Sequence, residues 1–403
     1  MAAWNLVKLD DVCEIQRGGS PRPIENFITN SQDGINWIKI GDVAVGAKYI
    51  TKTGQKIRPE GAQRSRVVGE GDFLLSNSMS FGRPYILKTS GCIHDGWLVL
   101  RYNKNLLTED YLYHVLSSNF VYAQFVKLAV GAVVKNLNCE VVKQVVIPLP
   151  PIPEQRRIAA ILDEADALRA KHRESLTQLD SLTQAIFMEM FGDPRENEHR
   201  WPVAAIGSFI SGMRGGAALQ PDDFTDNGFP ILHKGAIKPQ GRIEVDEKKK
   251  TFASHEYAAS KPNCIADRTH IAVTLRDLVP SGPSIGLAAD LRYGQYDRYL
   301  LAQGAYAFLL DVKKVTAEYF VQLSNMPTFR YVLRQNAVGS TQIHIRTPIY
   351  LAITLPIPPI ELQNKFAEKI KAIVVLKRKF KASLTEIETL VASLQYRAFR
   401  GEL

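Results

Sequence analysis

Carboxylates and lysines spaced to hold a metal ion are the first residues to weigh. Pro221 and Asp222 followed by Glu247, Lys248 and Lys249 have the form P-D…E-x-K, in which two carboxylates hold a divalent cation and a lysine stabilises charge on a phosphate. The form is short and recurs by chance. Asp222 lies in "LQPDDFTDNG", a polar turn, and Glu247 in a highly charged hairpin-like stretch, so a PD-ExK-like Mg-dependent nuclease stands only as an alternative. The chain has no N-P-P-[YF] or D-P-P-[YF] motif and no G-x-x-x-x-G-K-[ST] phosphate loop, so neither adenine methyl transfer nor an ATP motor is expected of it. No catalytic residue and no metal site is expected.

Residues suited to a polyanion are better placed. "QRGGSPRP" (16–23) sets Arg17 and Arg22 beside Gly18, Gly19 and Ser20, and "SGMRGGAALQ" (211–220) repeats the pattern with Arg214, Gly215 and Gly216. Glycine lets the backbone approach a phosphate closely, while a guanidinium reaches O6 and N7 of guanine. "LLSNSMSFGRP" (74–84) adds Asn77, Ser78, Ser80 and Arg83, and the second half offers Lys234 and, in "VTLRD", Thr274 and Arg276. Lys135 and Asn136 in the first half, and Thr341, Gln342 and His344 in the second, complete the candidate DNA-binding set. Turns are the ordinary reading of Ser and Asn clusters, and a hydrogen-bonded histidine is the ordinary reading of His344.

Whatever elements position these residues come in duplicate. "VVIPLPPIPEQ" (145–155) returns as "ITLPIPPIELQ" (353–363), so Pro148, Pro150 and Pro151 recur as Pro356, Pro358 and Pro359 at an offset of 208 residues. "YLYHVLSSNFVYAQFVKLAVG" (111–131) lies over "YFVQLSNMPTFRYVLRQNAVG" (319–339) at the same offset. Upstream the register drifts: "NWIKIGDV" (36–43) matches "PILHKGAI" (230–237) and Trp4 answers Trp201, so the second copy carries about ten extra loop residues. Each copy mixes strands ("WIKIGDV", "GDFLLS", "HDGWLVLRY") with a helical region from Thr108. The fold class is α+β.

After each proline segment the periodicity changes. From Pro153, apolar residues recur at Ile158, Ile161, Ala165, Leu168, Leu179, Leu182 and Ile186, ending at Phe191-Gly192 before Asp193-Pro194. The offset gives Phe366, Ile373, Leu376, Ile387, Leu390 and Leu394, with Phe380 standing where His172 stands, closing at Phe399 and Gly401. Each stripe predicts a helix of about 36 residues, about 54 Å long. Such a narrow seam needs a partner. The other copy serves if the two helices pair as an antiparallel coiled coil with an approximate two-fold axis. Leu162, Leu176 and Phe187, off the seam, would then remain for a further partner to cover. The expected order is head 1–150, helix 151–192, head 193–358, helix 359–403. A rod of about 54 Å suits two heads on separate turns of duplex DNA, whose half-sites repeat every 34–36 Å or so.

Composition agrees without deciding. The 403 residues are 45% hydrophobic and carry a net charge of +9, enough for two or more cores and a modest bias to polyanions. "DEKKK" (246–250) and "LKRKFK" (376–381) read as solvated faces. Cys13, Cys92, Cys139 and Cys264 form no C-x-x-C pair, and no apolar run approaches the length of about 20 residues needed to span a bilayer, so a soluble, cytoplasmic chain without membrane contact is expected.

The whole pattern resembles the type I restriction-modification specificity subunits. The resemblance rests on "IPLPPIPEQRRIAAILDEAD" (147–166) and its echo "LPIPPIELQNKFAEKI" (355–370), on "QAIFMEMFGDPREN" (184–197), on "SLQYRAFRGEL" (393–403), and on "AVGAVVKNLN" and "AVGSTQIHIR" before the joints. The second joint departs from the usual form, with Glu361-Leu362-Gln363 where Pro153-Glu154-Gln155 stands. The resemblance implies two target-recognition domains reading a bipartite double-stranded DNA target around an unread spacer, with no chemistry in this chain. Two methyltransferase (M) subunits using S-adenosylmethionine would dock on it, and motor-nuclease (R) subunits using ATP with Mg2+ would join for cleavage. A coiled-coil scaffold that binds no DNA is the other alternative.

Overall fold

The computed structural model describes residues 4–43, 46–77, 81–128, 137–246 and 249–403. Packing groups the chain into two compact units, Met1–Arg173 with Ala382–Leu403, and Glu174–Lys381. Each unit therefore joins one head to parts of both long helices.

In the first unit the continuous apolar run Trp97–Leu100 lies within strand Trp97–Tyr102 of a five-stranded sheet ordered Cys13–Arg17, Trp97–Tyr102, Phe73–Ser76, Pro84–Leu87, Tyr49–Ile50. A run buried on both faces is what a central strand covered on both sides requires. A second five-stranded sheet, ordered Ile28–Thr29, Gln55–Ile57, Ile35–Ile38, Gly91–Ile93, Arg66–Val68, contains a parallel pair with Trp37 opposite Cys92. The second unit repeats the plan with four strands in each sheet: Ile210–Gly215, Ala305–Leu310, Ile271–Thr274, Ala288–Asp290, and Phe252–Ala253, Phe229–Leu232, Arg298–Leu301, Ile265–Asp267. Its parallel pair sets Ile231 opposite Leu300, so the match of "NWIKIGDV" to "PILHKGAI" holds in three dimensions. The helical region of the first head is two helices, Glu109–Leu116 and Asn119–Leu128, broken at Ser117-Ser118. Pro327 opens the corresponding second helix in the other head.

The proline joints are built twice in the same way. Leu6–Lys8 pairs antiparallel with Val146–Pro148, and Val203–Ala205 with Thr354–Pro356; two-stranded ribbons are where a proline can sit in a sheet. The buried Tyr111 hydroxyl donates to the Pro148 carbonyl at 2.8 Å, and Tyr319 to Pro356 at 2.8 Å. Gln155, fully buried, accepts from the Thr108 amide at 2.9 Å and donates to the Leu106 and Pro150 carbonyls at 2.7 and 2.9 Å. Gln363 repeats this with the Thr316 amide and the Lys314 and Pro358 carbonyls at 2.9, 3.1 and 2.8 Å.

The long helices run Ile152–Phe191 and Ile360–Ala398, 40 and 39 residues, or about 60 Å each. In the first unit Arg173 pairs with Glu388 at 2.6 Å, Ser383 bonds His172 at 3.2 Å, and Arg157 donates to the Leu403 carbonyl at 2.8 Å. In the second, Lys377 pairs with Asp180 at 2.7 Å, and the Phe366 ring lies 5.7 Å from Phe187 and 5.2 Å from Phe191. Between residue 157 and residues 172–173 the partners fall from 403 to 383–388, and between residues 180 and 191 they fall from 377 to 366, so within each unit the paired segments run antiparallel.

The buried register differs from the expected seam by one residue at several positions. One line of covered positions runs along the second helix through Phe366, Ile370, Ile373, Lys377, Phe380, Leu384, Ile387, Val391, Leu394 and Ala398, and one along the first through Gln155, Ile158, Leu162, Ala165, Arg169, His172, Leu176, Leu179, Thr183, Ile186 and Met190. Spacings of three and four alternate throughout, as side chains lining one face require. Leu168, Leu182, Leu376 and Leu390 are instead 41–51% exposed, and Ile161 is half-buried. Leu162 and Phe187 were expected to be uncovered; both are buried in the heads' cores, while Leu176 is half-buried. Polar Arg169, Thr183 and Lys377 occupy covered positions, which displaced the apparent stripe by one. Among the described residues no helix is long and apolar enough to cross a membrane.

Candidate nucleic-acid interface

In the first head, hydrogen bonds tie four sequence-distant segments together. Gly18 and Gly19 donate to the Trp97 and Ile93 carbonyls at 2.9 and 3.1 Å, Asn77 to Gly96 at 3.0 Å, and Leu137 to Asn77 at 2.9 Å. The second head repeats three of these ties: Ala217 to Leu301 at 2.8 Å, Leu275 to Gly304 at 3.2 Å, and Ile345 to Leu275 at 2.8 Å. A Cβ on Gly18 would collide with the His94 carbonyl oxygen and one on Gly216 with that of Ala302, so glycine is required at both for close backbone approach.

That equivalence corrects the expected match of the two Arg-Gly-Gly runs. Gly18 answers Gly216, not Gly215, and Arg17, opposite Leu98, answers Gly215, opposite Tyr306. A one-residue slip in a strand turns a side chain to the other face. Arg214 accordingly donates to the Ile265 carbonyl at 2.6 Å, in the neighbouring sheet, whereas Arg17 is exposed and donates through Nε to the Asp95 carbonyl at 3.2 Å.

Asp95 is the centre of the first head's cluster. Its carbonyl also accepts from Asn77 Nδ2 at 2.8 Å, and its carboxylate takes the Ser20 hydroxyl at 2.9 Å and pairs with Arg22 at 3.2 Å. Partial burial works against ionisation of Asp95, but the Ser20 hydroxyl, a backbone amide, His94 and Arg22 hold it below the ordinary carboxylate range. Beside it lies an open cleft of about 750 Å³ lined by Ser20, Arg22, Trp37, Lys39 and His94 among others. Burial pushes the His94 imidazole below its usual value, against the pull of Asp95. Asn77 is buried, so it positions Asp95 and is not free to read a base. Arg83 is exposed, its backbone paired with Ser76. Ser78, Ser80, Lys135 and Asn136 lie outside the described residues.

In the second head Arg276 donates to Gln342 Oε1 at 2.6 Å, and its strand pairs Arg276 with His344. Thr341, Gln342 and His344 are exposed while Ile343 and Ile345 are buried, an alternation that also brings Arg346 outward. Thr274 is wholly buried, which removes it from any interface. Lys234 stands 3.7 Å from the buried Asp277 carboxylate, and burial lowers its ammonium pKa; it neutralises a loop rather than standing free for phosphate. Asp222 sits in the exposed turn Pro221–Asp223, and Glu247 and Lys248 lie outside the described residues. Among the described residues no group of three or more His, Cys, Asp and Glu side chains is placed to hold a metal ion.

Residues 1–180 match the family model of the type I restriction modification DNA specificity domain. The chain is similar to the type I restriction-modification specificity subunits. It is 21% identical to the MjaVIII type I restriction enzyme specificity subunit of Methanocaldococcus jannaschii over 97% of this chain and 91% of that protein. Its fold is similar to a chain from a type I restriction-modification system solved to explain complex assembly and conformational transition, with TM-score 0.56, 18% identity, and coverage of 100% of this chain and 99% of that one. It is also similar to the S subunit of the type I system from M. genitalium, with TM-score 0.50, 14% identity, and coverage of 98% and 96%. The four-segment clusters, one per head, are the candidate surfaces. Asp95 and Arg346 are the members that sequence reasoning missed. Arg346 had a signal, the alternation through 342–346; Asp95 had none, because its role comes from contacts with residues 17, 20, 22 and 77.

Proposed function

We propose that the chain reads a bipartite, gapped double-stranded DNA target, one half-site per head, and carries out no chemistry itself. The observation that carries this reading is that the same four backbone segments meet in both heads and present different side chains: Arg17, Ser20 and Arg22 around Asp95 in one, Arg276, Gln342, His344 and Arg346 in the other. A common frame with unlike contents suits two unlike half-sites. The alternating burial of both long helices and their antiparallel contacts support a coiled coil between copies related by an approximate two-fold axis.

The exposed pairs Leu168 and Leu182, and Leu376 and Leu390, are each 14 residues apart on their helices and so return to one side of a seam with period 3.5. With the exposed Val375 and Tyr396, they are the apolar surface offered to two methyltransferase subunits, which would bring S-adenosylmethionine. Motor-nuclease subunits would bring ATP and Mg2+, this chain binding no cofactor. Such a complex works in the cytoplasm. Competition binding between target and unrelated duplex from 50 to 300 mM salt tests the reading. A target preference of at least about a thousandfold that survives high salt is expected, and equal binding of both duplexes at every salt would refute it.

A further inference from the structure

One loop is six residues longer in the second head than in the first. It spans 77–82 in the first head and 275–286 in the second, between equivalent bonds of Gly82 to Ser76 and Gly286 to Thr274, both 2.8 Å. Six of the extra residues of the second copy therefore lie here, and hydrogen bonds hold the loop in place. Asp277, 5% exposed, accepts the amides of Leu278, Val279 and Ser284 at 2.7, 3.3 and 2.7 Å as well as the Ser284 hydroxyl, with the Lys234 ammonium at 3.7 Å. Arg330 donates to the Ile285 carbonyl at 3.0 Å and also to that of Pro283. Arg276 and Asp277 pair along the backbone with His344 and Ile343.

This scaffold holds two adjacent aliphatic side chains in water, Leu278 at 57% and Val279 at 44% exposure. Exposing them in an ordered loop is unfavourable for the free chain, and such a tip marks a contact surface. Arg276 opens this stretch and Arg330 and Arg334 lie against it, while the one carboxylate of the loop is turned inward and neutralised by Lys234. A partner that is anionic overall yet has a small apolar group at its reading edge fits both features. The thymine 5-methyl in the major groove is such a group.

We propose that Leu278 and Val279 determine specificity in the second head by packing against the 5-methyl of a thymine in its half-site. This rests on the DNA-reading function above. The test uses the full-length chain with its methyltransferase subunits and duplexes carrying the target motif, each thymine of the second head's half-site replaced in turn by deoxyuridine, which lacks only the methyl. One or two positions should lose about fourfold in affinity, the worth of one buried methyl. The exposed double variant Leu278→Ser/Val279→Ser should lose that sensitivity and keep its response to changes in the other half-site. Equal sensitivity of both proteins to deoxyuridine, no sensitive position, or a half-site without thymine would each overturn the proposal. If the unaltered chain fails to prefer its target over competitor DNA, the DNA-reading function itself falls instead.

Discussion

Truncating Gln155 to alanine tests the proline joint. Its buried amide has three partners, the Thr108 N–H and the carbonyls of Leu106 and Pro150, and the change leaves all three inside the protein without it. A buried polar group deprived of its partner costs about 1–3 kcal/mol. Thr108 is the severest case because its N–H has a single bond to make. A water entering the space vacated by the amide recovers part of the carbonyls' loss, so the sum should be about 3–5 kcal/mol. The near-isosteric Gln155→Glu separates hydrogen bonding from packing: at neutral pH its carboxylate faces two carbonyl oxygens, so it should destabilise at least as much as alanine. Its pKa is then raised in the folded state, and the loss should be partly relieved as pH falls below that value and the acid gains a proton to donate. Urea unfolding followed by tryptophan fluorescence reports on this unit, which holds Trp4, Trp37 and Trp97, while Trp201 lies in the other. Gln363→Ala should lower the stability of the second unit by a similar amount. A shift below about 1 kcal/mol for Gln155→Ala, or a Glu variant matching the parent at pH 7, would refute the reasoning.

His114 is buried against Asp163 at 3.0 Å, beside Lys48, and desolvation holds its imidazole below the ordinary 6.5 despite the carboxylate. Between the folded and unfolded pKa values the unfolded chain binds the extra proton, so the first unit should lose stability as pH falls below 6.5, a slope that His114→Gln abolishes in denaturant titrations. Lys377 and Asp180, both largely covered between the helices, should each cost about 1–3 kcal/mol when replaced singly by leucine but little when replaced together, as read by a double-mutant cycle. Gly216→Ala, driving a Cβ into the Ala302 carbonyl, should cost about 1–3 kcal/mol, whereas Gly215→Ala, which would meet only the Tyr306 ring at 3.3 Å, should cost clearly less in thermal unfolding.

The duplicated plan was legible because it is local. Proline joints, strand runs and helix stops are set by neighbouring residues, and the fixed offset carried Tyr111 onto Tyr319 and Gln155 onto Gln363. The seam register was not, because Arg169, Thr183 and Lys377 occupy covered positions while Leu168, Leu182, Leu376 and Leu390 form a second apolar stripe beside them. Reading apolar letters alone therefore slid the stripe by one. The Arg-Gly-Gly runs misled for a related reason: two adjacent glycines give no letter by which to fix register, and only the carbonyls of His94 and Ala302 decide it. Asp95 could not be read from the chain at all. An isolated aspartate in "IHDGW" acquires meaning only when folding brings residues 17, 20, 22 and 77 to it.

Adenine-methylation mapping in a host carrying this chain with its methyltransferase, compared among the parent, Asp95→Ala and Arg276→Ala, tests the central claim most directly. A motif of two short blocks around an unread gap is predicted, with Asp95→Ala relaxing one block and Arg276→Ala only the other. A contiguous motif, or two substitutions that alter the same block, would contradict it.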